Sequence, residues 1–215
     1  MTFLDYFASN WTDVADATLA HAVLVLQGLG LAVLIGVPVA VATYRTGAPR
    51  TAVLGFAGLL LTIPSYALFG LLITPLGLGT GPSVVALTMY ALLPVLRNAV
   101  VGLRGLDPAV VESARAMGMT RLRVLVTVEL PLAWPVLLTG LRVATQLLLG
   151  IAAIAAAVNG PGLGNLILDG LASAGTPYAA YLTVEGCLGI VLLAVVFDLL
   201  FAGLNRLTTA KGLGA

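Results

Sequence analysis

The chain has 215 residues, 60% of them hydrophobic and 9% charged, with a mean hydropathy of +1.10. A soluble domain carries about a quarter charged residues, so this chain cannot cover itself with a soluble surface. Ten basic and nine acidic residues leave a net charge of +1, which gives a nucleic-acid partner no electrostatic footprint. A single cysteine, Cys187, excludes an internal disulfide and a multi-cysteine zinc site, and a single histidine, His21, excludes a His-built metal centre. The composition is that of an integral membrane protein.

A membrane-crossing helix needs about 20 mostly apolar residues. Five stretches qualify: Thr18 to Thr43, Thr51 to Ile73, Ser83 to Val101, Leu132 to Val158 and Ala179 to Asn205. The expected fold class is therefore all-α with five transmembrane helices. Pro38, Pro64 and Pro94 fall inside these spans, where neighbouring helices can satisfy the freed backbone groups. The first span exceeds a signal-peptide core and follows acidic residues (Asp5, Asp13, Asp16) instead of basic ones, so it is expected to be retained. Before it, in residues 1–17, Phe3, Leu4, Phe7 and Trp11 share one helical face. That pattern is expected of an interfacial segment lying along the outer membrane surface.

Basic residues mark cytoplasmic loops. Arg45 and Arg50 lie between spans one and two, and Arg104, Arg115, Arg121 and Arg123 between three and four. Arg206 and Lys211 sit in the tail, residues 206–215. The opposite loops, Thr74 to Pro82 and Asn159 to Tyr178, hold no Lys or Arg. The expected orientation is N-terminus outside and C-terminus inside, with one membrane domain over residues 18–205. Trp11, Tyr178 and Tyr181 then fall near the outer interface, and Tyr44 and Trp134 near the inner one.

The loop over residues 102–131 carries the most information. Asp107 and Pro108 form a helix start, an N-cap acceptor followed by proline at the first helical position. Val110, Val111, Ala114 and Met117 recur at helical spacing as an apolar stripe, with Glu112 and Arg115 beside it. Gly118 ends the helix, since glycine accepts the left-handed conformation of a C-terminal cap. Thr120 caps a second helix, with Pro131 near its junction with span four. A short amphipathic helix of this kind could lie on lipid or insert into a groove of a soluble partner.

Glu112-Ser113-Ala114, then Gly118, then Val128-Glu-Leu130-Pro131 resembles the EAA loop of ABC-importer permeases, with matching spacing throughout. It departs from that pattern at Ser113, where the family has Ala, and at Val128, where it has Ile. Further along the chain, Thr18-Leu-Ala-His21, Thr62-Ile-Pro-Ser65, Tyr90-Ala-Leu-Leu-Pro94, Arg97-Asn98 and Gly162-Leu-Gly-Asn165-Leu-Ile resemble the glycine betaine/carnitine/choline branch of these permeases. The resemblance implies a prokaryotic plasma-membrane permease for quaternary-ammonium osmoprotectants, with a cytoplasmic coupling helix between spans three and four. It also implies a cytoplasmic ABC ATPase in two copies, a second permease subunit, identical or paralogous, and an extracytoplasmic substrate-binding protein. On this reading Val110, Val111, Ala114 and Met117 seat in the ATPase groove and Glu112 and Arg115 fix orientation. Ser113, Gly118, Leu130 and Pro131 complete the motif.

The chain has no P-loop: its one lysine, Lys211, stands between Ala210 and Gly212, so ATP must be hydrolysed by a partner. No cofactor or metal is expected in this chain, and no catalytic constellation is visible in any loop. Arg97, Arg142 and Asp198 are intramembrane charges, which usually pair. Arg142 is expected to pair with Asp198, and Arg97 either pairs or snorkels to the interface. Tyr66 and Tyr90, with Pro64, are candidates for lining the pathway, since aromatic faces attract quaternary ammonium groups. His21 and Gln27 are expected to hydrogen-bond between helices, Glu185 to face water, and Cys187 to be a small buried residue. The Gly-rich run Asn159 to Asp169 is expected to form a tight turn and short helix. Two alternatives stay open: an ABC permease for an amino acid such as methionine, and a secondary transporter or channel. The latter needs ion sites or a filter.

Overall fold

The computed structural model describes residues 2–208, which are helical with short connections and contain no strand. Helix α1 runs over Phe3–Thr43, α2 over Ala48–Thr62, α3 over Ser65–Leu76 and α4 over Thr80–Arg104. The loop helix α5 is Pro108–Ala116. Then α6 (Arg121–Val124), a π-helical turn (Leu125–Glu129), α7 (Leu130–Ile154) and a 3₁₀ turn (Ala155–Val158) run on as one element. Helix α8 is Gly164–Ala172 and α9 is Ala179–Thr208. Four elements are long and apolar enough to cross a membrane, and α2 with α3 makes a fifth span if the bent pair is counted as one.

At the start of α1, Thr2 Oγ1 accepts from the Asp5 amide and Asp5 Oδ2 accepts from the Thr2 amide, a capping box. The helix then continues unbroken for 41 residues, roughly 60 Å at 1.5 Å per residue. Residues 3–17, expected as an interfacial segment, are thus continuous with span one, with no cap or glycine to stop the helix between them. Span two is present as a bent pair. It is broken at Ile63-Pro64, where α2 and α3 meet at 98°. A residue preceding proline is pushed out of the helical region, and Ile63 is extended at φ −67°, ψ 127°.

The core is built on α1, α4 and α7. Without a hydrophobic drive in lipid, membrane helices associate through small residues that let backbones approach. Gly28, Ala32, Gly36 and Ala40 recur every fourth residue along the buried face of α1. A methyl on Gly28 would lie 2.6 Å from Leu87 Cβ of α4, and one on Gly140 of α7 would lie 2.5 Å from Asn98 Cβ of α4. Between these contacts pack two apolar clusters. One contains Leu24, Phe69, Leu87 and Leu148; the other, toward the α5 end, contains Tyr44, Leu96, Leu103 and Leu137. His21 is fully buried, and its Nε2 lies 3.1 Å from the Leu149 carbonyl of α7. Gln27 is exposed. Helix α9 lies at the edge against α8, α1 and α7, with Leu192, Leu199 and Leu200 exposed, as lipid-facing residues are.

Candidate coupling loop and transport site

Asp107 Oδ1 accepts from the Ala109 amide at 2.9 Å and starts α5 with Pro108 at its first position. Ser113 Oγ donates to the Ala109 carbonyl at 2.7 Å, so this polar side chain is turned back on its own helix. Gly118 stops α5 at φ +83°, a conformation that strains any residue with a Cβ. Thr120 Oγ1 then caps α6 by accepting from the Arg123 amide at 3.4 Å.

The apolar stripe divides between two surfaces. Ala114 is 3% exposed, packed against this chain's own α6 and π turn, and Val111 is half-buried. Val110 and Met117 are exposed and, with Ala109, Ser113 and Val128, line an open groove of about 360 Å³. Ala114, although 3% exposed, also lines this groove. Leu130 is half-buried, and Pro131 is exposed at the start of α7. Proline cannot donate to the preceding turn and its ring crowds the carbonyl there. The wider π turn of residues 125–129, closed by the Leu130 amide on the Leu125 carbonyl, accommodates it.

Behind α5 is a pocket of about 350 Å³ lined by charge: Arg45, Arg50, Arg104, Glu112, Arg115 and Glu129 are on its wall. Glu112 and Arg115 are exposed and form no ion pair with each other. Glu129 is the residue that sequence reasoning missed. It is 2% exposed, accepts from the Tyr44 hydroxyl at 2.7 Å and is bridged by Arg45, whose guanidinium lies 5.0 Å from the Tyr44 ring centroid. Burial, reinforced by the hydrogen bond to Glu129, pushes the Tyr44 hydroxyl up to about 12. The signal was present as the unassigned position of Val128-Glu-Leu130-Pro131, a carboxylate at the start of an apolar run.

Within the spans, Arg142 Nε and Nη2 donate to the two oxygens of Asp198 at 2.6 and 2.7 Å, a fork joining α7 to α9. Arg97 is exposed on α4, with no ion pair among the described residues. The aromatic candidates do not come together. Tyr66 is 71% exposed on α3, whereas Tyr90 is buried and its hydroxyl donates to the Ile63 carbonyl at 2.6 Å. Tyr90 thus clamps the α2–α3 break, which Pro64 forms. Two further expectations are reversed: Glu185 is buried at 2% exposure and Cys187 is exposed. On α9 the two positions lie two residues apart, so burying one face against α1 turns the other outward. The Gly-rich run does form a turn and the short helix α8, with Asn165 Nδ2 donating to the carbonyls of Gly160 and Gly162. Lys211 and the rest of the tail beyond Thr208 lie outside the described residues.

Residues 32–209 match the family described as the binding-protein-dependent transport system inner membrane component. The chain belongs to that family. It is a membrane permease subunit of a transport system, whose ATPase is a separate subunit. Membership implies an ATPase and a substrate-binding protein as partners. The chain is 41% identical to the osmoprotectant import permease protein OsmW of Salmonella typhimurium, over 99% of this chain and 100% of that protein. It is 35% identical to the glycine betaine/carnitine/choline transport system permease protein OpuCB of Bacillus subtilis, over 99% and 95% of the two chains. The fold is that of the permease in the inward-facing MetNI methionine ABC transporter, with a TM-score of 0.80 at 23% identity over 92% of this chain and 96% of that one.

Proposed function

We propose that this chain is the translocation subunit of an ATP-driven importer for small quaternary-ammonium osmoprotectants such as glycine betaine, choline or carnitine. The observation that carries this reading is the likeness to the osmoprotectant permease, at 41% identity over 99% of this chain and 100% of that protein. In the assembled importer, α5 docks on a cytoplasmic ABC ATPase present in two copies. Val110 and Met117 enter its groove, and Glu112 and Arg115 set the orientation. Exposure of Val110 and Met117 beside an apolar groove supports that assignment, and capping at both ends of α5 keeps the helix rigid enough to transmit a push. ATP is bound and hydrolysed by the partner. A second permease subunit, identical or paralogous, completes the pathway, and an extracytoplasmic binding protein delivers solute. The excess of arginine at the α5 end supports an orientation with the N-terminus outside.

The test is uptake of labelled glycine betaine, choline, carnitine and methionine in cells lacking their own osmolyte importers and carrying this chain with its ATPase and binding protein. Accumulation of a quaternary ammonium compound, abolished by Gly118→Asp while the variant still inserts in the membrane, is the expected result. Uptake of methionine alone refutes the substrate class, and normal uptake by Gly118→Asp refutes the coupling role.

A further inference from the structure

Between the N-terminal turns of α1 and the first half of α9 lies a cavity of about 400 Å³ whose wall is almost wholly apolar. Phe3, Phe7, Val14, Thr18 and Leu188 line it, and one carboxylate, Glu185, is on its wall. Glu185 is 2% exposed and neither of its oxygens has a hydrogen-bond partner among the described residues. Two neighbouring threonine hydroxyls are committed elsewhere: Thr18 of the cavity wall donates to the Val14 carbonyl, and Thr183 of α9 donates to the Ala179 carbonyl. A carboxylate withdrawn from water without a donor or counter-charge is costly. Here the cost is set in a cavity that the chain itself leaves open.

Phe3 and Phe7 of the cavity wall belong to a cluster of rings that continues beside it. Phe3 stands edge-on to Tyr181 at 5.7 Å between centroids, Tyr6 stacks on Tyr178 at 5.8 Å and leans on Tyr181 at 5.7 Å, and Phe7 follows Phe3 at 6.5 Å. Tyr181 and Glu185 are four residues apart on α9 and so share a face. Aromatic rings and one carboxylate in an apolar wall are the partners of a methylated or primary ammonium, whose diffuse charge is held by ring faces and needs few oxygen ligands. A hard metal ion is a poor match. It takes about six oxygens, and no group of three His, Cys, Asp or Glu exists among the described residues.

The geometry points to a cation site at Glu185 that takes an alkylammonium group, supplied either by a free osmolyte or by the amine headgroup of a membrane lipid. The site is separate from the coupling loop, which lies at the opposite end of α1. It stands whatever solute the importer carries, because occupancy is read directly.

The experiment uses the assembled transporter without its binding protein, in nanodiscs of phosphatidylglycerol alone. Equilibrium binding of labelled tetramethylammonium is compared for the native chain, Glu185→Gln and Phe7→Ala. The expected result is a saturable component in the native complex. Glu185→Gln should weaken it roughly tenfold or more, as when one member of a buried charge pair is neutralised, and Phe7→Ala should weaken it severalfold. Phe7→Ala keeps the test decisive if the Gln variant fails to assemble. In a second arm, complexes purified from membranes containing phosphatidylethanolamine are examined by native mass spectrometry. Retention of this lipid by the native chain and its loss from the variant identifies the headgroup as the source. Tetramethylammonium binding without retained amine lipid identifies the free osmolyte. Absence of both in the native complex, or both unchanged by the substitutions, overturns the inference.

Discussion

Replacing Glu129 with Gln should loosen the coupling loop without changing its shape. The native carboxylate is 2% exposed and receives the Tyr44 hydroxyl at 2.7 Å, with Arg45 on its other oxygen. A hydrogen bond to a charged group contributes about 1.5–3 kcal/mol, against about 1 for a neutral one, so neutralising the acceptor costs about 1 kcal/mol at Tyr44 alone. The Arg45 side chain is 47% exposed, so its share is small. The Gln amide nitrogen, however, would face a guanidinium with nothing to donate to, a further penalty of about 1 kcal/mol. The sum is about 2 kcal/mol, which for a chain of this length lowers the unfolding midpoint by roughly 4–8 °C. Thermal unfolding of the purified complex, with hydrogen exchange of residues 108–129, measures both the size and the place of the effect. In a cycle with Tyr44→Phe the two changes should be non-additive, because both act on the same bond. Additive effects, each under about 0.5 kcal/mol, would refute the reasoning.

Four other outcomes follow from the same geometry. Gly140→Ala should destabilise the helix bundle by about 1–3 kcal/mol through overpacking, since its Cβ would meet Asn98 Cβ at 2.5 Å and the Pro94 carbonyl at 2.9 Å. Gly150→Ala on the same helix has open space and serves as the neutral control in thermal unfolding. Tyr90→Phe should cost about 1 kcal/mol by leaving the Ile63 carbonyl unpaired, and should speed proteolysis or hydrogen exchange at the α2–α3 break. Asp198→Asn should lower the yield of assembled protein in detergent by leaving the Arg142 guanidinium without its fork; unchanged assembly and unchanged uptake would remove any role for the pair. Tyr44 should ionise near pH 12 by ultraviolet titration. Because its folded value lies above that of an unfolded tyrosine, its stabilisation is complete below about pH 10 and is lost as pH rises toward 12, and Glu129→Gln should bring the titration back toward 10.

Spans one, three, four and five were legible because each is a long apolar run, and run length alone identifies a membrane helix. The caps of α5 were legible for a related reason: Asp107-Pro108, Gly118 and Thr120 act on backbone groups within four residues of themselves. What escaped was tertiary. Pro64 reads the same whether its helix kinks or breaks, and the outcome rests on Tyr90, 26 residues away, offering a hydroxyl to the Ile63 carbonyl. The π turn at residues 125–129, against which α5 packs, is announced by no local propensity. Glu129 and Glu185 are single carboxylates in apolar runs, and periodicity does not say that one meets Tyr44 and Arg45 while the other meets no partner among the described residues.

The placement of Ala114 and Glu129 also constrains how a force on α5 can travel. A loop helix joined only at its two ends would yield when pushed, because its connections rotate. Here Ala114 is packed on the π turn, Glu129 of that turn is bonded to Tyr44 at the end of α1, and the turn runs without a break into α7. Helix α4 enters the same unit through Gly102, where a methyl would lie 3.0 Å from the Ala133 carbonyl of α7. Displacement of α5 is therefore shared by α1, α4 and α7, while α3 beyond the Ile63-Pro64 break follows only through the Tyr90 bond and its apolar contacts. Tightly packed elements shift as blocks between discrete arrangements and do not deform continuously. The natural division of this subunit is thus a three-helix block carrying the coupling loop and a bent α2–α3 pair. Tyr90→Phe and Glu129→Gln probe the two sides of that division: the first should loosen α3 alone, and the second should raise exchange at the end of α1 as well as in the loop.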